Sequence, residues 1–128
     1  VAQAAALAGL SVKAEWMAEV QRIQRHNQDL IKQAVDRLPG FSMPVYPSHG
    51  NFVVVECIEA GIRPDALVAE FQTAGIMIRQ GAYHTPRFGD RFIKVSTSVP
   101  VAWMEAFCAL LPEMAGRARS RNDIPPLF

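Results

Sequence analysis

Ile76-Met77-Ile78-Arg79-Gln80 and Phe92-Ile93-Lys94-Val95-Ser96-Thr97 are the two stretches on which the fold turns. Each is a short apolar run interrupted by one long cation. Side chains alternate across a strand, so Arg79 falls on the face opposite Ile78, and Lys94 opposite Ile93 and Val95. A polar loop, residues 81–91, holds Tyr83, His84, Pro86 and Gly89 and separates the two strands. Upstream, residues 51–58 (NFVVVECI) are rich in β-branched side chains and predict an interior strand. Phe41 to Tyr46 reads as a fourth, short strand, and Pro44 within it implies an edge or a bulge. Pro64 suits the first position of a helix, which Ala66, Leu67, Val68 and Phe71 make amphipathic and Gly75 closes. Ser98 is the expected cap of a last helix over 99–115, apolar at Val101, Trp103, Met104, Phe107 and Leu110. Pro112 is expected to end or distort that helix.

Before the strands runs a long helix, Ser11 to Leu38. Trp16, Val20, Ile23, Leu30, Ile31, Ala34 and Leu38 recur at steps of three and four and form its apolar stripe. The other face carries Glu19, Arg22, Arg25, Gln28, Lys32 and Asp36, and Pro39-Gly40 stops it. Ser11 is its expected N-cap. Residues 1–10 (VAQAAALAGL) are strong helix formers ended by Gly9. The chain opens on Val1 inside that helix, which predicts a piece of a longer protein. The segment 117–128, with Arg117, Arg119, Arg121, Asp123 and Pro125-Pro126, is expected to be loose or docked on a partner. The pattern predicts an α+β fold: a small, mostly antiparallel sheet of about four strands, helices on one face, and a long connecting helix in front.

A length of 128 residues suits one domain, and half of them are hydrophobic, enough for a real core. With 13 basic against 12 acidic residues, the near-neutral balance argues against a nucleic-acid or anionic-lipid partner. Cys57 and Cys108 lie in apolar runs. A disulfide is one arrangement; buried free thiols in a reducing compartment are the expected one. No apolar stretch approaches the roughly 20 residues of a membrane span, and no signal-peptide pattern opens the chain. A cytoplasmic protein is the expectation.

His26, His49 and His84 have no Cys or carboxylate at ligand spacing, so no metal site is expected. Phosphate-loop and dinucleotide fingerprints are absent. Ser96, Thr97 and Ser98 lack a base or a strained elbow to make a nucleophile. Glu56 and Glu59 straddle a strand end and read as solvated. Arg79 and Lys94 remain. On spacing alone they are either the solvated outer face of the sheet or a paired anion site for a carboxylate or phosphate.

The ordered set AQAAALAGL, HGNFVVVE, GIMIRQG and FIKVSTSVPVAWMEAF resembles the C-terminal small domain of fold-type I, pyridoxal-phosphate (PLP) dependent class I/II aminotransferases, nearest the histidinol-phosphate aminotransferase-like branch. The likeness covers roughly residues 1–112. It implies that residues 1–10 are the remnant of a large-domain helix, 11–116 the small domain with 11–38 as linker, and 117–128 a tail. In that family an arginine in a motif like (L/I)RI(T/S)VGT binds the substrate's α-carboxylate, and Lys94 stands in its place. A lysine lacks the planar fork of the guanidinium, so the resemblance implies a weaker carboxylate grip, one moved to Arg79 or Arg91, or a different substrate. The family's GIxxR segment matches Gly75 to Arg79, giving Arg79 a role at the substrate's phosphate end. Asn51 matches the (A/G)NF element beside the cleft.

The family's Schiff-base lysine and its pyridine-nitrogen aspartate lie in the large domain, and none of Lys13, Lys32 and Lys94 sits in that lysine motif. The resemblance therefore implies PLP in the full-length enzyme, a homodimer, an amino-acid or 2-oxo-acid substrate, and an isolated piece that is inactive. Two readings stand beside it. One is a stand-alone ferredoxin-like regulatory module binding an anionic metabolite, for which a βαββαβ order is expected rather than the ββαββα read here. The other is an interaction domain with merely solvated charges.

Overall fold

The computed structural model describes residues 1–124; the last four residues of the expected tail, 125–128, lie outside the described residues. Helix α1 (Ala2–Ser11) runs almost directly into α2 (Lys13–Asp36), the long helix expected from the apolar stripe. Ser11 does not cap α2. It is the last residue of α1, and its hydroxyl donates back to the Ala8 carbonyl at 2.8 Å, while Val12 holds the cap position. The indole of Trp16 donates to the Gly9 carbonyl at 3.0 Å and ties the two helices together. No residue of α1 is buried.

Strand β1 (Phe52–Glu56), helix α3 (Pro64–Thr73), the two-residue strand β2 (Arg79–Gln80), strand β3 (Phe92–Ser96) and helix α4 (Val101–Ala118) follow. Pro64 opens α3 as expected. The sheet has three strands in the order β1-β3-β2, with β3 antiparallel to both neighbours. Residues 41–46 do not supply a fourth. Ser42 alone pairs with Glu56, exchanging both main-chain hydrogen bonds at 3.1 and 2.9 Å. Beyond it Pro44 and Pro47 have no N–H to continue a ladder.

Val53, Val55, Ile93 and Val95 make the buried face of the sheet, and Ile31 and Val35 of α2, Leu67 and Phe71 of α3, and Phe107 and Leu111 of α4 complete the core against it. Phe71 and Phe107 stack with centroids 4.7 Å apart. This is the α+β layer expected, with the helices on one face and the other face left open.

Helix α4 passes straight through Pro112 to Ala118. A mid-helix proline costs ~3 kcal/mol, but Leu111, Met114, Ala115 and Ala118 are all buried around it, and that burial outweighs the lost hydrogen bond. Nor does Ser98 cap α4: Pro100 occupies the cap position, and the Ser98 hydroxyl accepts from Gln24 Nε2 at 3.2 Å. The start of the expected loose segment is anchored instead. Arg117 Nε and Arg121 Nη1 reach the buried carboxylate of Glu70 on α3 at 2.8 and 2.6 Å.

Cys57 is buried and Cys108 half-buried, both as free thiols. Burial, aided by the charges of Glu56 and Asp65, pushes the Cys57 thiol up to about 12; burial alone pushes Cys108 up to about 11. Among the described residues no helix is long and apolar enough to cross a membrane, and no three His, Cys, Asp or Glu side chains gather to hold a metal.

Candidate functional site

Arg79 and Lys94 are direct partners in the β2–β3 register. Directly opposite residues share a face, so both cations stand on the open side of the sheet, with Phe52 and Val54 of β1 beside them. Each is held by an aromatic ring. The Lys94 ammonium lies 4.2 Å from the centroid of Phe52, its diagonal neighbour across the strands. The Arg79 guanidinium lies 4.8 Å from the ring of Tyr83. Such contacts are worth about 0.5–1 kcal/mol at exposed sites. They orient the two side chains over the sheet. Lys94 has no carboxylate partner among the described residues. An anion placed beside Lys94 gains a charge-assisted contact.

One open pocket of about 300 Å³ is lined by Asn51, Phe52, Met77, Ile78, Arg79, Lys94 and Ser96. The three candidate residues are therefore brought together. Arg91 is not with them; it pairs with Glu56 at 3.6 Å, where β1 meets the start of β3. Two adjacent buried residues of α2 fix the chain segments that carry Asn51. Gln28 donates to the Ser48 carbonyl at 2.9 Å and accepts from the Ser48 N–H at 3.0 Å. Asn27 donates to the carbonyls of Thr97 and Val99 at 3.0 and 2.9 Å, and the Thr97 N–H donates to the Asn51 carbonyl at 2.8 Å. Gln28 thus leaves the polar face to which the helical periodicity assigns it. It is buried because the Ser48 backbone needs both ends of its amide.

Tyr83 and His84 also belong to the site, and the sequence offered little to find them beyond their place just after the cation-bearing strand. They sit in and just after a single 3₁₀ turn (Gly81–Tyr83), their rings edge to face at 5.1 Å. Desolvation and then the charges of Lys94 and Arg79 hold the His84 imidazole below its ordinary value. His84 is therefore neutral at neutral pH and reports on the cation pair. In ring-proton NMR it is expected to titrate below the ordinary value of about 6.5. Lys94→Gln is expected to move that midpoint upward; an unchanged midpoint would detach His84 from the pair.

Gly89 shapes the same loop, since a Cβ there would strike the backbone of Ala82 and the Thr85 carbonyl. Gly89→Ala is expected to cost about 1–3 kcal/mol and to shift the His84 resonances in the same spectra.

No protein-family model matches the sequence, and no curated protein sequence does. Among solved structures, MppP soaked with the product 2-ketoarginine superposes with a TM-score of 0.72 at 18% identity, over 82% of this chain and 30% of that one. OvoB gives 0.65 at 24% identity, over 91% of this chain and 28% of its own. Alanine aminotransferase from Pyrococcus furiosus gives 0.60 at 16% identity, over 77% and 26%. At such identities the likeness is one of fold. The chain spans less than a third of the length of each of these three proteins, and its fold is that of one portion of them, an aminotransferase included.

Proposed function

We propose that this chain is the substrate-binding portion of a PLP-dependent aminotransferase, which moves an amino group from an amino acid to a 2-oxo acid. Arg79 and Lys94 hold the substrate's anionic groups, and Asn51 lines the same pocket. The observation that carries this reading is the cross-strand Arg79–Lys94 pair opening into one pocket, on a fold shared with part of an aminotransferase. In the histidinol-phosphate-like form of the reading, Lys94 takes the α-carboxylate through a single point charge and Arg79 a distal anionic group. The full-length enzyme would be a cytoplasmic homodimer.

Among the described residues, none builds a cofactor cradle. Lys32 is tied to Asp36 at 2.6 Å, Lys13 lies at the start of α2, and Lys94 is stacked on Phe52 without an acid beside it. PLP, which supplies an electron sink for amino transfer when bound, belongs in this reading to the remainder of the protein. The chain's own part is binding and orientation.

Mixed with PLP, the chain is expected to show no visible absorbance beyond that of the free cofactor. Titrated with a 2-oxo acid, it is expected to raise the His84 midpoint as the carboxylate offsets the cations. A stable new band would put the cofactor lysine here, and an inert His84 would remove the carboxylate role.

One observation favours a second reading. With residues 41–46 outside the sheet, β1-α3-β2-β3-α4 in the order β1-β3-β2 reproduces the split βαβ core of ferredoxin-like modules up to the last strand. The strand order expected to exclude an anion-binding regulatory module therefore does not exclude it. The long α2, packed along α4, is the element that such a module does not need.

A further inference from the structure

We propose that α2 and the loop around His49 form a phosphate site for a small phosphorylated metabolite with a polar body. This goes beyond the carboxylate-binding reading and does not rest on it, since the pocket concerned shares no lining residue with the one at Arg79 and Lys94. Gln21, Arg25 and Gln28, with Arg22 beside them, recur at steps of three and four and so share one side of α2. Ser48 and His49, from the loop that precedes β1, form the other wall. Between the two walls lies an open pocket of about 480 Å³.

Three observations make it a site for an anion. The first is charge. Arg22, Arg25 and His49 line the pocket, and among the described residues no acid does. Glu19 engages Arg22 through Nε and Nη2 at 2.8 and 2.7 Å, which leaves Nη1 to donate elsewhere. Arg25 makes no ion pair among the described residues. Asp29, one turn further along α2, instead accepts from the Tyr46 hydroxyl at 2.6 Å. The second is a braced wall. Both ends of the buried Gln28 amide hold the Ser48 backbone, and the Ser48 hydroxyl accepts from the Gly50 N–H at 3.1 Å. His49 is thus presented from a fixed segment, and less ordering is needed on binding.

The third is the arrangement of donors. Guanidinium groups come from the helix and the imidazole from the loop. A planar carboxylate offers its acceptors in one plane, whereas a tetrahedral phosphate offers oxygens to both walls, and arginine suits it. The pocket volume falls within the range of small-molecule sites. Gln21 adds an amide donor and acceptor for a polar body.

The test follows the His49 ring resonances of the whole chain by NMR, assigned through His49→Gln, at constant pH and ionic strength. Glycerol 3-phosphate is the probe, with inorganic phosphate, glycerol and acetate for comparison. Glycerol 3-phosphate is expected to shift His49 saturably, inorganic phosphate more weakly, and glycerol not at all. Arg25→Gln, which keeps a good helix former at an exposed position, is expected to weaken glycerol 3-phosphate about threefold or more. Its far-UV circular dichroism should match the parent's. Arg37→Gln removes an exposed cation at the end of α2 that does not line the pocket, and is expected to leave the affinity unchanged.

A His49 that no phosphate moves overturns the site. Equal losses in Arg25→Gln and Arg37→Gln overturn it as well, because the attraction would then be diffuse. Acetate matching glycerol 3-phosphate at His49 overturns the phosphate assignment. Inorganic phosphate binding as tightly as glycerol 3-phosphate overturns the polar body, and with it the metabolite class.

Discussion

Replacing Arg117 and Arg121 together by alanine is expected to cost about 3–5 kcal/mol of stability, seen as a thermal midpoint lowered by roughly 10 °C or more. Glu70 is only 5% exposed, and its two oxygens are met by these arginines at 2.8 and 2.6 Å. Remove both and a carboxylate is left buried on α3 against the core. The effect is asymmetric. Arg117 and Arg121 are 50% and 23% exposed, so removing the acid instead lets both cations turn to water. Glu70→Met is therefore expected to stay within about 1 kcal/mol of the parent, since an apolar side chain of similar size avoids the desolvation altogether. The ordering is what circular-dichroism melts should show. A double variant as stable as Glu70→Met would mean that the carboxylate had found water, and that α4 is anchored by its apolar face alone.

That cluster also marks where the sequence was silent. Arg117 and Arg121 read locally as part of a charged terminal segment, because their partner lies about 50 residues away on another helix. The elements set by local pattern were legible: β-branched residues gave β1 and β3, Pro64 the start of α3, and the apolar stripe α2. What failed were features that tertiary contacts decide. Pro112 was a stop signal until the burial of Met114, Ala115 and Ala118 outweighed it. Gln28 was polar surface until the Ser48 backbone required an amide. Ser11 and Ser98 had cap chemistry, but hydrogen bonds to Ala8 and Gln24 took their hydroxyls. The site divides in the same way. Alternation put Arg79 and Lys94 each on a strand face, yet their pairing comes from register, which neither local sequence contains. The rings holding them, Phe52 and Tyr83, and the listening imidazole of His84 emerged only with the fold.

Lys94→Ala is the change expected to matter most for function. In the longer aminotransferase proposed above, it should raise the KM for the acid substrate by an amount equivalent to about 2–5 kcal/mol where the charge pair is desolvated. In this chain alone the pocket is open to water, so the same change should weaken carboxylate binding by only about 1 kcal/mol or less. The difference between the two measurements then gives the contribution of closure. Lys94→Arg is the more discriminating variant. A guanidinium offers a planar fork to a carboxylate where an ammonium offers a point charge. If the lysine is a weaker stand-in for an arginine, Lys94→Arg should lower KM and tighten carboxylate binding. If it is fitted to its ligand, the larger head group must displace the stacking on Phe52 at 4.2 Å, and affinity should fall. A KM unchanged by Lys94→Ala removes Lys94 from the site and leaves Arg79 to hold the anion alone.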